Sequence, residues 1–425
     1  MPEKVRLKRE IGLFGASALG VGAIVGSGIF IVTGIVAGLA GPAMVLSVLI
    51  AGAIAVFSAM SVAELSACLP REGGTYSFAR ILISPFIGYI AGWIWIFSNI
   101  FVGAAVSLGF AEYFVTLFPG IPVKMIAVLI CFIFLMINYI GVRESTLINN
   151  ILVSLKVLIL LFFIAFAFGY FKINNFTPFA PAGPTGIFMG ASLIFFAYTG
   201  FARVTIMAEE VKDPEHTIPR SIYLALGIST LLYVLVSLTA TGLVGTDTLS
   251  RSMSPLAAAI SAAGNQGATF IVSIGAMIAT ASVLLTTIMG VSRIVFAMGR
   301  SNDLPSSVSR LHPRFSTPHY AIWLTGVCMI AAIILADLSL VVTVSTFAML
   351  IYYLIANAAA MKIPAAERRY PAIIPVIGAA TCIGLMAFLG MNAWIIGFAG
   401  LGLGIGVYSL LKQKHCCRLL QEIRG

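Results

Sequence analysis

The chain has 425 residues, of which 60% are hydrophobic and only 9% charged, with a formal net charge of +10 and a mean hydropathy of +1.06. A soluble domain carries about a quarter charged residues, so these values exclude a soluble enzyme and leave little room for an aqueous domain. They describe an integral membrane protein.

A helix that crosses a bilayer needs about 20 mostly apolar residues. By that criterion the chain holds twelve candidate spans, at roughly 12–38, 42–67, 76–117, 123–141, 146–170, 185–210, 219–244, 267–297, 320–336, 339–361, 372–389 and 391–411. The N-terminus opens with Lys4, Arg6, Lys8 and Arg9 and runs into the first span with no signal-peptide cleavage pattern. Within that span, VGAIVGSGIF (21–30) sets Gly26, Ser27 and Gly28 together. The third stretch is too long for one straight crossing, which predicts that its end lies along the membrane surface. Span five, TLINNILVSLKVLILLFF, carries Lys156 about ten residues in, or ~15 Å along a helix, near the middle of a ~30 Å core. The loop FKINNFTPFAPAGPTG (171–186) leads to span six, where FFAYTGFARV (195–204) again has a central glycine, followed by Arg203. Cys68, Cys131, Cys328 and Cys382 fall in or beside spans and read as small core hydrophobes. Cys416 and Cys417 sit in the basic tail, a weak sign of palmitoylation.

Lys and Arg set the orientation. With the N-terminus inside, twenty of them fall on cytoplasmic segments, against Lys124, Lys172 and Arg251 on the other side; Lys156 and Arg203 lie within spans. Both termini are then cytoplasmic, in keeping with an even span count. The positive balance reflects topology and contact with anionic lipids, and does not imply nucleic acid.

Two readings of the glycines compete. Small residues let membrane helices pack closely. Alternatively, glycine-interrupted segments at corresponding places in two halves mark an inverted-repeat transporter. A broken helix frees N–H and C=O groups at membrane depth, which is costly unless something binds them. A zwitterionic amino acid suits both: its carboxylate takes N–H groups at a half-helix N-terminus and its ammonium takes carbonyls.

Three further stretches, AELSACLPREGGTYSFAR (63–80), AEEVKDPEHTIPRSI (208–222) and GVSRIVFAMGRSNDLP (290–305), flank loops on the cytoplasmic side. Together with VGAIVGSGIF and FFAYTGFARV they resemble the amino acid–polyamine–organocation permease superfamily, from about Leu7 to Pro305. The resemblance implies an all-α membrane protein of about twelve transmembrane helices with the LeuT-type fold. Residues 1–170 would form the first inverted repeat (spans 1–5), 185–361 the second (spans 6–10), 372–411 spans 11–12, and 412–425 a cytoplasmic tail. It implies secondary transport of amino acids or related amines. Ile24, Gly26, Ser27 and Gly28 match the unwound stretch of span one that holds the substrate carboxylate. Phe195, Ala197, Tyr198, Thr199 and Gly200 match that of span six, whose carbonyls would help bind the ammonium. Phe196 matches the aromatic that covers substrate; for Phe195 and Phe196 ordinary packing is the competing reading.

An ionisable residue at Lys156's depth is a functional hypothesis by default, and snorkelling to the interface is awkward from there. Burial favours the neutral amine, so such a residue can load and release a proton. Some members of the superfamily place a lysine here, where sodium-coupled relatives bind an ion. The resemblance thus implies a proton site in which Lys156 contacts the carbonyl region of Gly22 or Ala23 and Ser282 of span eight, with Thr280 or Thr286 as alternatives to Ser282. At Ala202 some cationic-amino-acid relatives carry an acid; this chain does not, and Arg203 follows. Neutral substrates and proton symport are expected. The alternative is exchange of amino acids, or of an amino acid and its amine, including cationic ones. Asn99, Phe97 and Ser98 of span three are candidate pocket lining.

Other classes fit poorly. His216, His312, His319 and His415 fall in loops or the tail, and neither HExxH nor GxSxG occurs. No channel selectivity filter is present in the sequence. No metal or cofactor is expected. The partners expected are an amino-acid substrate, protons and membrane lipids, with oligomeric state and accessory subunits left open.

Overall fold

In a bilayer, backbone polar groups are satisfied within helices or closed barrels, and long apolar runs without strand alternation select helices. The computed structural model describes residues 11–69, 74–141, 146–202 and 211–424, and the side chains of these except 146–149 and 413–424. Arg203, Glu209 and Glu210 lie outside the described residues, as do the side chains of Cys416 and Cys417.

The helices in chain order are α1 (Leu13–Ile24), α2 (Ser27–Ala40), α3 (Met44–Cys68), α4 (Gly74–Leu82), α5 (Pro85–Leu117), α6 (Val123–Ile140), α7 (Thr146–Phe168) and α8 (Gly183–Tyr198), which passes into a 3-10 turn, Thr199–Ala202. There follow α9 (Pro214–Ser250), α10 (Pro255–Ala262), α11 (Gln266–Arg300), α12 (His319–Leu335), α13 (Leu338–Ala360), α14 (Ile373–Ala387) and α15 (Met391–Arg424). Among the described residues nine stretches are long and apolar enough to cross a membrane, the first of them, Leu13–Cys68, comprising α1, α2 and α3. The apolar helices α12 and α14 are shorter, at 17 and 15 residues. The protein is thus a multi-pass integral membrane protein.

The stretch 76–117 is divided at its start rather than its end. Pro85 opens α5, and the Ser84 hydroxyl accepts the Ile87 N–H at 3.2 Å. A capping serine followed by proline at the first helical position is a start signal, so the chain breaks there into α4 and α5. Span seven also starts earlier than 219, at Pro214. Pro219 lies inside this helix, where its ring nitrogen has no proton for the Glu215 carbonyl. Arg369 supplies that donor, its Nη1 reaching the Glu215 carbonyl at 2.6 Å and its Nη2 the Glu215 carboxylate at 3.0 Å.

Many of the helix contacts are related by exchange of two halves of the chain. α5 lies against α11, α3 against α9, and α6 against α12. Beyond these, α1 on α9 is matched by α8 on α3, α1 on α7 by α8 on α13, α5 on α13 by α11 on α7, and α5 on α6 by α11 on α12. Exchanging the α1–α7 half for the α8–α13 half maps this set onto itself. The broken α1/α2 and the end of α8 meet at the centre.

At one end of the bundle α4 ties several elements together. The Tyr76 hydroxyl donates to the Asp303 carboxylate at 2.8 Å, and Arg80 pairs with the same carboxylate. The Thr75 N–H donates to the Tyr352 hydroxyl of α13 at 3.3 Å, which fixes a ring that reaches the centre of the molecule.

Candidate substrate-binding site

The first break covers two residues. Val25 (φ −74°, ψ 71°) and Gly26 (φ −116°, ψ −139°) leave helical geometry, and the Gly26 N–H turns to the Ile24 carbonyl at 2.7 Å. In an unbroken helix that N–H would bond the Gly22 carbonyl. Three carbonyls, those of Gly22, Ala23 and Ile24, therefore lose their usual donors.

Each freed carbonyl has a different fate. Lys156 Nζ, on α7 and 3% exposed, donates to the Gly22 carbonyl at 3.4 Å. The Ile24 carbonyl accepts the Tyr233 hydroxyl of α9 at 2.6 Å as well as the Gly26 N–H. The Ala23 carbonyl lies at the break, and Ala23 forms part of a cavity wall. On the other side of the break, α2 begins at Ser27 with no side-chain cap. The first N–H groups of a helix lack intrahelical acceptors and carry the positive end of its dipole, and those of α2 face the same cavity through Gly26, Ser27 and Gly28.

At the second break α8 tightens into the 3-10 turn. The Thr199 N–H and hydroxyl both return to the Phe196 carbonyl, the hydroxyl at 2.9 Å. The Tyr353 hydroxyl of α13 donates to the Thr199 carbonyl at 2.7 Å, and Tyr233 lies 3.2 Å from the Ala197 carbonyl. The Tyr233 hydroxyl has one proton, directed to the nearer Ile24 oxygen, with Ala197 as its second acceptor.

The two breaks touch through their backbones. A Cβ on Gly28 would fall 2.5 Å from Ala197 Cα, and one on Gly200 would overlap the Ala23 carbonyl group. Both readings of the glycines therefore describe real features: the helix is broken, and the glycines let the broken segments cross in contact.

The two breaks border one cavity. Ile24, Gly26, Ser27, Gly28, Phe196 and Ala197 line it, with Ala23, Thr199 and Gly200. Phe195 and Tyr198 do not. One helical turn apart, they share the opposite face of α8, where Phe195 packs edge-on against Tyr353 at 5.9 Å and the Tyr198 hydroxyl donates to the Val48 carbonyl at 3.2 Å. Lys156 and Gly22 meet behind the cavity wall. Ser282 donates to the Ala279 carbonyl of its own helix at 3.0 Å, and Thr280 and Thr286 likewise bond carbonyls of their own helix.

Of the span-three candidates only Asn99 lines the cavity. Phe97 lies over Gly400 of α15, and the Ser98 hydroxyl donates to the Ser345 carbonyl at 2.8 Å. Ala202, the position singled out in the sequence for the charge of the substrate, is part of the wall, and Trp95, Val102, Val283, Met349 and Tyr352 complete it and are residues that sequence reasoning missed. Trp95, Asn99 and Val102 have the i, i+4, i+7 spacing of one helix face, but with every face of α5 apolar nothing in the sequence tells that face from its neighbours.

Tyr233→Phe removes the hydroxyl that lies between the Ile24 and Ala197 carbonyls. An unmet buried acceptor costs about 1–3 kcal/mol. The expected result is a lower thermal midpoint in detergent at unchanged expression; an unchanged midpoint would show that the hydroxyl does not hold the two breaks.

An apolar multi-helix chain with a central cavity between two interrupted helices has the architecture of a secondary transporter. The chain belongs to the amino acid permease family, whose model matches residues 11–405. It is 33% identical to the branched-chain amino acid permease BcaP of Bacillus subtilis, over 96% of this chain and 94% of the relative. It is also 33% identical, with the same coverage, to the methylthioribose transporter of Bacillus subtilis. Similarity extends to the chloroplastic cationic amino acid transporter 7 of Arabidopsis thaliana, at 30% identity over 83% of this chain and 65% of the relative. It is a permease, not an enzyme.

Proposed function

We propose that this permease moves neutral amino acids across the cell membrane by alternating access, coupled to protons through Lys156. The observation that carries the reading is the buried Lys156 ammonium on the Gly22 carbonyl, an acceptor that exists only because α1 is broken. A charged donor on a carbonyl makes a stronger hydrogen bond than a neutral one. Protonation of Lys156 therefore stabilises the arrangement in which α1 rests against α7, and release of the proton loosens it. The same broken segment places Ala23 in the cavity wall, so the proton and the substrate act on adjacent residues of one strand of backbone.

In this reading the substrate carboxylate sits on the N–H groups that open α2, and its ammonium on the Ala23 carbonyl. The paired packing of α1–α7 and α8–α13 supports a 5+5 inverted repeat, with α14 and α15 as spans 11 and 12 of twelve. The Lys and Arg distribution supports cytoplasmic termini and contact of that face with anionic lipid.

Neutral substrates follow from the wall of the cavity, where no Lys, Arg, Asp or Glu is found among the described residues. A cationic side chain would enter without a counter-charge. The relatives bracket the question, since one is named for branched-chain amino acids and another for cationic ones. In competition against a labelled neutral amino acid, neutral amino acids are expected to outcompete lysine, arginine and putrescine. Dominant competition by arginine or a diamine would overturn the neutral assignment.

A further inference from the structure

The part of the cavity away from the two breaks is walled by α5, α11 and α13, and it is there that a substrate side chain would project. Trp95, Val102, Val283 and Met349 make it apolar. Two polar side chains join them, Tyr352, whose hydroxyl accepts the Thr75 N–H, and Asn99. Asn99 is 2% exposed, and its Nδ2 donates to the Trp95 carbonyl one turn back at 2.9 Å. That bond sets the side-chain rotamer. The Oδ1 atom accepts nothing among the described residues, and Asn99 forms part of the cavity wall. An amide oxygen on the wall of a cavity is a fixed acceptor, and closing the site over it without a donor is costly.

We propose that Asn99 is a specificity-determining residue that selects neutral amino acids whose side chain carries a hydrogen-bond donor, a hydroxyl above all, over apolar isosteres. The inference rests on the neutral-amino-acid reading and narrows it. A substrate hydroxyl reaching Oδ1 satisfies the acceptor when water is expelled. A methyl of the same size occupies the same space and leaves the acceptor unmet. A site that holds a buried acceptor for its substrate rejects the analogue lacking the donor far better than an apolar pocket separates two shapes.

Threonine and valine are the probe pair, since they differ by a hydroxyl in place of a methyl. Their affinities are to be measured by displacement of a labelled neutral amino acid from the purified full-length chain, with ligand-induced thermal stabilisation as a second readout. Wild type is expected to bind threonine about tenfold more tightly than valine. Asn99→Leu should bring that ratio to about one or below, by weakening threonine while valine binds as well or better. Asn99→Ala, which adds no volume, should remove the preference in the same way and covers the case in which the leucine variant does not fold. Equal binding of the pair by wild type, or a preference that persists in both variants, overturns the role of Asn99 while leaving amino-acid transport intact. Failure of any neutral amino acid to bind wild type overturns the transport reading itself, and this inference with it.

Discussion

Replacing Gly28 or Gly200 with alanine is expected to lower initial uptake of a neutral amino acid by about a hundredfold or more, a change of about 2.8 kcal/mol in the productive state. The two sites are where α1/α2 and α8 meet backbone to backbone. A Cβ at Gly28 meets Ala197 Cα and Cβ at 2.5 Å, and a Cβ at Gly200 overlaps the Ala23 carbonyl and the Ile24 nitrogen. Main-chain atoms of packed helices cannot move aside as a side-chain tip can, because interiors are packed at near-crystal density. The breaks must separate, which displaces both the Ala23 carbonyl and the first N–H groups of α2. Gly26→Ala is the internal comparison. Its Cβ meets only the Val283 Cγ2 methyl, at 2.6 Å, and that side chain can turn. A partial loss is expected there. Uptake near wild type in the Gly28 and Gly200 variants would show that the contact between breaks is dispensable.

The second large effect concerns Lys156. Lys156→Met keeps most of the side chain's volume and removes the charged donor from the Gly22 carbonyl. Concentrative uptake driven by a proton gradient should be lost, whereas exchange of substrate across the membrane should survive to the extent that α1 still moves. Lys156→Arg keeps a donor that stays charged at physiological pH. It should bind substrate and fail to concentrate it. The pair separates the charge from its titration. An arginine variant that still concentrates substrate under the same gradient would make residue 156 a strut between α7 and α1, with the coupling ion bound elsewhere.

The helical class and the central place of the two glycine-bearing stretches were legible in the sequence because both depend on local features: apolar runs of bilayer length, and glycines where a spanning helix has no other need of them. Depth and charge said only that a buried Lys156 ammonium needs an acceptor; its contact with the first span was an expectation from the resemblance to the permease superfamily, and the structure places it on the Gly22 carbonyl. The partition among the freed carbonyls was not legible. Tyr233 takes Ile24 and Lys156 takes Gly22 because α9 and α7 approach α1 from two sides, a relation between segments distant along the chain. For the same reason Phe195 and Phe196 could not be told apart before the direction of α8 was known. The start of α5 could have been read, from Ser84 followed by Pro85, but the apolar run on both sides hid it.

In the proposed mechanism, proton entry drives neutral amino acids through this permease. The direct test is uptake into sodium-free proteoliposomes that hold no internal amino acid, with an acid exterior imposed at time zero. The expected result is transient accumulation of a labelled neutral amino acid above its external concentration, abolished by a protonophore and absent in Lys156→Met. Uptake that needs preloaded substrate, or that needs sodium and ignores the proton gradient, would contradict it.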